Sequence, residues 1–167
     1  AFADNTVNPE IVLDKNNESI PIGYQIQIFE DKEKKLQFED VIKLEGVLQN
    51  SLQKVPGYGY TESVFWVKFQ VSNPYPESIN WFLEYAYPLF DKISFYIYEH
   101  NQWVVKNAGD SNPFDQREVN YRNFLFHVYS LPLSTQVCYL RLESSSSLNI
   151  PLTIWLPDKL LTKINHE

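Results

Sequence analysis

This chain of 167 residues is poor in the residue types from which many catalytic and cofactor sites are built. It has five glycines, three histidines, one cysteine and no methionine. None of the glycines occurs in a G-x-G-x-x-G or Walker spacing, so a phosphate-binding loop is excluded. His100, His127 and His166 are far apart and match no ligand spacing, so neither a metal site nor a cofactor is predicted.

Nucleophilic and acid–base sites also lack support. Cys138 cannot form an internal disulfide, and it falls on the apolar side of a strand pattern, which predicts a buried structural thiol. The serine run at 144–147 lacks the flanking glycines of a nucleophile elbow. Glu84 and Asp91 could form a carboxylate pair, but 21 acidic residues make some such pairing unavoidable. The chain is therefore predicted not to be an enzyme.

Two further absences limit the partners and the topology. The net charge of −7 argues against nucleic acid, because neutralising phosphates needs clustered Lys and Arg. No apolar run reaches about 18 residues, so no segment is predicted to cross a bilayer. The chain begins Ala1-Phe2-Ala3, a small-x-small pattern like that before signal-peptidase sites. With the missing methionine, this pattern indicates a processed or trimmed chain, and export behind a signal peptide is one of the explanations left open.

Aromatic residues, in contrast, are abundant, at 16% of the chain. Aromatic and β-branched side chains favour strands, and short segments here alternate between apolar and polar residues about every ten positions. These segments are 11–13, 24–29, 65–71, 81–87, 93–98, 103–106, 122–128, 137–143 and 149–155. No helical pattern alternates with them, so the sequence predicts a single all-β domain, an antiparallel sandwich or barrel.

The ends and one central stretch differ from this pattern. We expect a flexible N-terminal lead-in at 1–20, the β-sandwich at 21–156 and a connector helix at 157–167. Asp158 could cap that helix, whose apolar side consists of Leu160, Leu161 and Ile164. Between residues 39 and 53 the apolar spacing is loosely helical, which predicts one short helix or a coil.

The two faces of the predicted strands have different compositions. A period of two assigns to the core Phe65, Val67, Phe69, Ile93, Phe95, Ile97, Cys138, Leu140, Leu142, Ile150, Leu152 and Ile154. The opposite faces carry Trp66, Lys68, Tyr96, Tyr98, Tyr139, Arg141, Glu143 and Trp155. An aromatic ring packs on the apolar side of a pyranose, while charged groups bind its hydroxyls. We therefore predict an exposed ligand platform of Trp66, Tyr96, Tyr139 and Arg141, unless the N-terminal segment or a loop covers these rings.

A long polar connection follows the segment at 103–106. Its Asp110 and Arg117, with Arg122 beyond it, could clasp an anionic or hydroxylated ligand at the rim of the platform. The alternative is that they brace the loop by bonding to backbone carbonyls. The complete set of predicted ligand-binding residues is Trp66, Lys68, Glu84, Tyr96, Asp110, Arg117, Arg122, Tyr139 and Arg141.

An ordered series of short segments resembles a known family. The series is Glu62–Pro74, Trp81–Ile93, Gly109-Asp110, Pro113-Phe114, Arg117, Tyr121–Phe124, Tyr139–Ser147 and Pro151–Trp155. In the first of these, Phe65-Trp66 opens a strand that ends in Asn73-Pro74. In order and spacing the series resembles extracellular domain type 2 of bacterial seven-transmembrane receptors with diverse intracellular signalling modules, over roughly residues 24–156.

The resemblance implies a jelly-roll-like sandwich related to carbohydrate-binding modules. It also implies a place on the periplasmic or extracellular face of the inner membrane, ahead of seven membrane helices and an intracellular output such as a histidine kinase or diguanylate cyclase. Together with the platform, it predicts a sensor of a carbohydrate or another polar small molecule, with the receptor's own membrane helices as partners. The alternative is a protein-interaction or receptor-assembly domain without a small-molecule ligand, and a homodimer is left open.

Overall fold

A computed structural model describes residues 10–17, 19–44, 46–86, 92–108 and 124–157 of the chain. In chain order its strands are β1 (Ile11–Val12), β2 (Ser19–Pro21), β3 (Gln27–Asp31), β4 (Gln49–Asn50), β5 (Gly57–Tyr60), β6 (Val64–Asn73), β7 (Ile79–Tyr85), β8 (Lys92–Glu99), β9 (Gln102–Ala108), β10 (Phe124–Ser130), β11 (Ser134–Glu143), β12 (Ser147–Asn149) and β13 (Leu152–Trp155). A short helix, α1 (Phe38–Val41), lies between β3 and β4. Within this described part, no helix is long and apolar enough to cross a bilayer.

The strands form two main sheets and a ribbon. The large sheet has the order β4-β3-β6-β11-β8-β9, and β1 pairs in parallel with the last part of β6. The small sheet has the order β10-β7-β13-β2, and β5 pairs with β12 in a two-stranded ribbon. All pairs other than β1 with β6, among the described strands, are antiparallel. The predicted antiparallel β-sandwich is confirmed.

The main core lies between the two sheets, and strict alternation along the strands fills it. In β6, Phe65, Val67 and Phe69 point inward, and Leu140 of β11 lies directly across from Val67. Every residue predicted for the core faces belongs to this core. Cys138 is fully buried there, and desolvation raises the pKa of its thiol well above the ordinary value. The thiol therefore stays protonated and unreactive at neutral pH, as predicted for a structural cysteine.

A tight turn is formed by His100-Asn101. Both residues have positive φ, 54° and 62°, and they connect β8 to β9 directly, since Glu99 pairs with Gln102. Two successive left-handed residues give a turn whose twist matches that of the strands it joins. Asn adopts this conformation at low cost because its side chain can bond locally.

Some boundaries differ from those predicted. β1 lies at the strand segment predicted at 11–13 within the lead-in, where it pairs with β6, and Ile11 and Leu13 are buried in the main core. The last predicted segment, 149–155, is divided between β12 and β13, because Pro151 has no N–H for a strand ladder and the chain passes there from the ribbon to the small sheet. The predicted helix from Asp158 lies outside the described residues.

Candidate functional site

The predicted platform residues share one face of the large sheet. Arg141 pairs with Trp66 of β6, and Tyr139 pairs with Lys68 of β6 and with Tyr96 of β8. Residues directly across from each other on neighbouring strands point to the same side. The expectation that these side chains lie on one outer face is therefore confirmed.

That face is closed, however, because α1 lies across it. The ring of Phe38 stacks on Tyr96, with centroids 4.1 Å apart and planes 3° from parallel, and meets Tyr139 and Trp103 edge-on. Trp66 is 0% exposed and Tyr139 is 4% exposed. The prediction of an open platform is wrong for these two rings, and the alternative of a covering segment is right. We call this second core, centred on Phe38, Val41, Val64, Trp66 and Tyr139, the capped cluster.

The turn that carries α1 explains why the face is covered. Asp31 ends β3 and is buried, and one of its carboxylate oxygens accepts a hydrogen bond from the Leu36 N–H at 2.9 Å. Asp40 then accepts a bond from the Gln37 N–H at 2.8 Å and fixes the start of α1. Phe38 is thereby directed onto the sheet. A helix of four residues is too short to produce a helical period, and the stretch predicted as a short helix or coil, 39–53, coincides with α1 only at residues 39–41.

The charged members of the predicted set stand at the edge of the capped cluster. Arg141 donates a hydrogen bond from Nη1 to Oε1 of Glu143 at 3.0 Å, and its guanidinium carbon is 6.0 Å from the Trp66 ring centroid. The Lys68 ammonium is 5.8 Å from the ring centroid of Tyr139. Both cations are thus half-exposed groups against the outside of a sealed aromatic core. A ligand could contact these two cations only at the edge of the capped cluster, because the aromatic rings beneath them are buried.

Of the remaining predicted ligand residues, the structure describes Glu84, which is not on this face. Glu84 belongs to β7 of the small sheet, is 2% exposed, and accepts a hydrogen bond from Nε1 of Trp155 at 2.8 Å. It is therefore separated from the platform by the thickness of the sandwich. Asp110, Arg117 and Arg122 lie outside the described residues, and their ligand-binding role stays a prediction.

The structure shows an open site that the sequence did not indicate. A cleft of about 260 Å³ lies where β3, β4 and β5 meet, and we call it the edge cleft. Its lining residues are Ile28, Gln49, Asn50, Ser51, Leu52, Gln53, Pro56, Gly57 and Tyr58. The lining thus combines one aromatic ring with amide, hydroxyl and backbone groups, and it contains no ionisable group apart from the tyrosine.

Two groups give the edge cleft its binding chemistry. The ring of Tyr58 is 41% exposed and is held from behind by Phe65, with ring centroids 4.5 Å apart. Oδ1 of Asn50 is buried and has no hydrogen-bond partner within the described residues. An unpaired buried acceptor costs about 1–3 kcal/mol, so it is a place where a donor from a ligand or water would be favourable.

Close backbone approaches shape the walls. A Cβ on Gly23 would lie 1.7 Å from the carbonyl oxygen of Lys54, so only glycine allows the loop at 51–56 to pack where it does. Ser51 extends the pairing by donating its N–H to the Ile26 carbonyl at 2.9 Å. Gln53 accepts a bond from the Gly57 N–H through Oε1 at 3.3 Å, which closes the loop onto β5.

The electrostatics of Tyr58 keep its hydroxyl neutral. Burial raises the pKa of Tyr58 above the ordinary value, and the nearby negative charge of Glu30 raises it further. The phenol therefore remains able both to donate and to accept a hydrogen bond. The sequence signal that could have indicated this site is the pattern Gly57-Tyr58-Gly59-Tyr60, which forms β5.

Three solved structures are remotely similar to this chain. TmCBM61 in complex with β-1,4-galactotriose is 10% identical, covers 92% of this chain and 99% of its own, and has a TM-score of 0.41. The non-crystalline-cellulose-specific carbohydrate-binding module CBM28 is 11% identical over 66% of this chain and 74% of its own, with a TM-score of 0.25. A Cry1Da tryptic core variant from Bacillus thuringiensis is 9% identical over 62% and 20%, with a TM-score of 0.36. Similarities this remote do not bear on function.

Sequence comparison is more direct. No curated protein matches the chain. The family model of the 7TMR-DISM extracellular 2 domain matches residues 23–156, which is most of the chain and nearly the range of the resemblance in the sequence. The chain therefore belongs to the 7TMR-DISM extracellular 2 family, and it is the extracellular or periplasmic part of a membrane protein.

Proposed function

We propose that this domain is a non-catalytic sensor that binds a small neutral polar ligand, with a carbohydrate as the first candidate, in the edge cleft. One observation carries the proposal: the lining combines the partly exposed ring of Tyr58 with Asn50, whose Oδ1 is buried and has no hydrogen-bond partner among the described residues. A pyranose presents an apolar C–H face and a rim of hydroxyl donors, and these two groups complement both.

The absence of charge in the lining favours a neutral ligand. Among the lining residues there is no Lys, Arg, Asp, Glu or His. An anionic ligand would lose its hydration without gaining a charge-assisted bond, and that loss is costly in a partly buried site. The amides of Gln49, Asn50 and Gln53 and the hydroxyl of Ser51 instead match hydroxyl groups in hydrogen-bonding capacity.

The size of the cleft limits the ligand. At about 260 Å³ it is slightly smaller than the pockets of roughly 300–1,000 Å³ that hold drug-sized molecules. A single sugar ring, or the end of an oligosaccharide whose remainder stays in solvent, is the appropriate scale. In the full-length receptor we propose that seven membrane helices follow the domain and pass the signal to an intracellular kinase or cyclase.

A thermal-shift comparison tests the proposal. Neutral hexoses and disaccharides should raise the melting temperature of the domain, whereas the corresponding uronic acids should not. A ligand at 100 times its dissociation constant adds about 2.7 kcal/mol to the free energy of unfolding, which the assay detects easily. Tyr58→Ala should remove the shift. Tyr60→Ala is the matched control, because Tyr60 is on the same strand, is 70% exposed and does not line the cleft.

The contrary outcomes are distinct. A shift with uronic acids or other anions alone would indicate binding at the arginines of the 109–123 region instead of the edge cleft. A sugar-induced shift that survives in Tyr58→Ala would place the sugar elsewhere. The absence of any shift, with folded protein, would favour the assembly domain over the sensor.

A further inference from the structure

The topology identifies the end of the sandwich at which the chain leaves its last described strand. β13 pairs with β7 from Leu152 opposite Tyr85 to Trp155 opposite Phe82. β10 runs in the same direction along the other side of β7, and its Ser130 lies opposite Ile79. Strand β13 therefore runs toward the Ile79 end of β7, and the turn after β10 lies at that same end, which we call the exit end.

The turn at the exit end is apolar and exposed. It consists of Leu131-Pro132-Leu133, which we call the apolar tip, and Leu131 is 47% exposed and Leu133 71% exposed. Tyr98 and Tyr129 are also exposed, and together with Leu131 they line a shallow cavity of about 170 Å³, whose lining also includes Glu99 and His100. The turn itself and the strand ends beside it are uncharged, since no Lys, Arg, Asp or Glu occurs in the sequence between His127 and Arg141. Two exposed leucines are unusual at a strand turn, where polar residues ordinarily stand.

The backbone conformation at position 133 is unfavourable for leucine, so the stability of the domain does not explain why a leucine occurs there. Leu133 has a φ of 52°, a left-handed conformation that favours Gly or Asn and strains other residues. The turn is held in this shape, since Nδ2 of Asn73 donates to the Leu131 carbonyl at 3.0 Å and the Leu133 N–H donates to the Tyr75 carbonyl at 3.0 Å. A strained residue whose side chain is also exposed contributes little to folding, and such outliers point to a function.

We propose that the apolar tip inserts into the interfacial region of the lipid bilayer, with Tyr98 and Tyr129 at the level of the headgroups. Leucine side chains gain from entering the acyl boundary, and tyrosine rings prefer the interface because one end is apolar and the other forms hydrogen bonds. The inference rests on the part of the proposed function in which membrane helices follow the domain, because the exit end then faces the membrane.

The size and charge of the surface favour lipid over a second copy of the chain. A stable protein interface buries about 800 Å² on each partner, which a projecting turn of three residues does not offer. The net charge of −7 would repel anionic headgroups, so the contact is an apolar insertion and not electrostatic adsorption. Binding to neutral vesicles should therefore be insensitive to salt, and binding to anionic vesicles should be weaker and should strengthen as salt screens the repulsion.

In the test, the whole chain is attached to phosphatidylcholine vesicles by a C-terminal histidine tag that binds a nickel-chelating lipid. The tether reproduces the geometry of the receptor and compensates for the weakness of an isolated contact. A polarity-sensitive fluorophore is attached to Pro132→Cys, and in a second protein to Ser145→Cys in the exposed turn between β11 and β12, at the opposite end. The native Cys138 does not compete for the label because it is fully buried.

We expect the dye at position 132 to shift to the blue and to be quenched by brominated lipid, and the dye at position 145 to do neither. Leu131→Ser combined with Leu133→Gly should abolish both effects at position 132. Leu133→Gly alone relieves the left-handed strain, so it should melt at or above the wild-type temperature while weakening the quenching. Gain of stability with loss of insertion would separate the contact from folding.

Three results would overturn the proposal. The first is no quenching at position 132, and the second is equal quenching at positions 132 and 145. The third is a dimer in solution, detected by sedimentation, that the tip variants convert to a monomer without altering the dye signals, since the tip would then be a protein contact. None of these readouts uses a sugar, and the thermal shifts of the edge cleft need no vesicle, so failure of one proposal is distinguishable from failure of the other.

Discussion

The capped cluster and the edge cleft both build aromatic rings on the outside of a β-sandwich, yet only the cleft is open. In the capped cluster the position against Tyr96 is taken by Phe38 from the same chain. In the edge cleft Phe65 supports Tyr58 from behind, and the ring remains partly exposed. An outward aromatic side chain is thus a potential binding group only where no neighbouring segment of the chain already covers it.

Each region also contains one buried polar atom that has no hydrogen-bond partner among the described residues, and the surroundings of these two atoms differ. Nε1 of Trp66 is a buried donor without a partner among the described residues, and it is sealed within the capped cluster. Oδ1 of Asn50 is a buried acceptor that likewise has no partner in the described part of the chain, and its residue lines the open cleft. The first atom is a cost that the surrounding apolar contacts offset. The second belongs to a residue at the cleft surface, so a rotation of its amide would present the acceptor to a ligand, and relief of the same cost would then favour binding.

The largest expected effect comes from removing the ring at the centre of the capped cluster. Phe38→Ala should lower the free energy of unfolding by about 3 kcal/mol, because it deletes a buried aromatic ring that contacts four others and leaves a cavity. Urea denaturation followed by fluorescence measures this change. Glu39→Ala, an exposed change on the same helix, should stay within about 0.5 kcal/mol.

Phe38→Ala also tests whether the capped cluster is purely structural while the edge cleft binds the ligand. If the capped cluster is purely structural, folded Phe38→Ala should respond to sugars as the wild type does, since Phe38 does not line the edge cleft. A new or stronger sugar response in Phe38→Ala would instead mean that the cap covers a second binding surface. A loss of stability below about 1 kcal/mol would contradict the packing that the ring contacts indicate.

The sequence predicted on which face of a sheet a side chain lies, but it did not predict whether another segment of the chain covers that face. Alternation placed Trp66 and Tyr139 on the outer face, because the direction of a side chain depends only on its position along the strand. Whether that face is open depended on a helix of four residues and on the bond from Leu36 to Asp31, which have no period to detect. The edge cleft was missed for a related reason, since it is built by a loop and by the short strand β4.

A smaller effect should follow from releasing the turn that carries the cap. Asp31→Ala removes the carboxylate that accepts the Leu36 N–H, and a buried bond to a charged acceptor contributes about 1.5–3 kcal/mol. Asp40→Ala removes the bond from the Gln37 N–H at the start of α1, an exposed site, and should cost about 1 kcal/mol. Chemical denaturation of both variants should give this order. The reverse order would show that the cap is held by its helix start and not by the buried turn.

For the edge cleft we expect function to be lost without a loss of stability. Asn50→Ala deletes a buried acceptor that has no partner among the described residues, so it removes a desolvation cost of about 1–3 kcal/mol and should leave the free energy of unfolding equal to or above that of the wild type. The sugar-induced thermal shift should nevertheless disappear, because the ligand loses its acceptor. A sugar shift equal to that of the wild type would exclude Asn50 from the binding site, whatever its effect on stability.

The smallest effect is the decrease in stability at alkaline pH. It distinguishes the two regions because the pKa values of their tyrosines are raised by different causes. Burial alone raises the pKa of Tyr139, whereas burial and then the charge of Glu30 raise the pKa of Tyr58. A raised pKa means that the folded state holds the proton more tightly than the unfolded chain does. Stability is therefore complete below about pH 10, the ordinary phenol value, and declines as the pH rises through the raised folded values. Melting temperatures from about pH 8 to 11 should fall less steeply in Tyr139→Phe, although Tyr96, whose pKa burial also raises, maintains part of the slope.

Glu30→Gln should also flatten the profile, because it lowers the folded pKa of Tyr58 while leaving an oxygen that can accept the bond from Ser63. Its effect should be absent in the Tyr58→Phe background and unchanged in the Tyr139→Phe background. If Glu30→Gln flattened the profile equally in both, the charge would act on some other group and the contrast between the sealed and the open tyrosine would not hold.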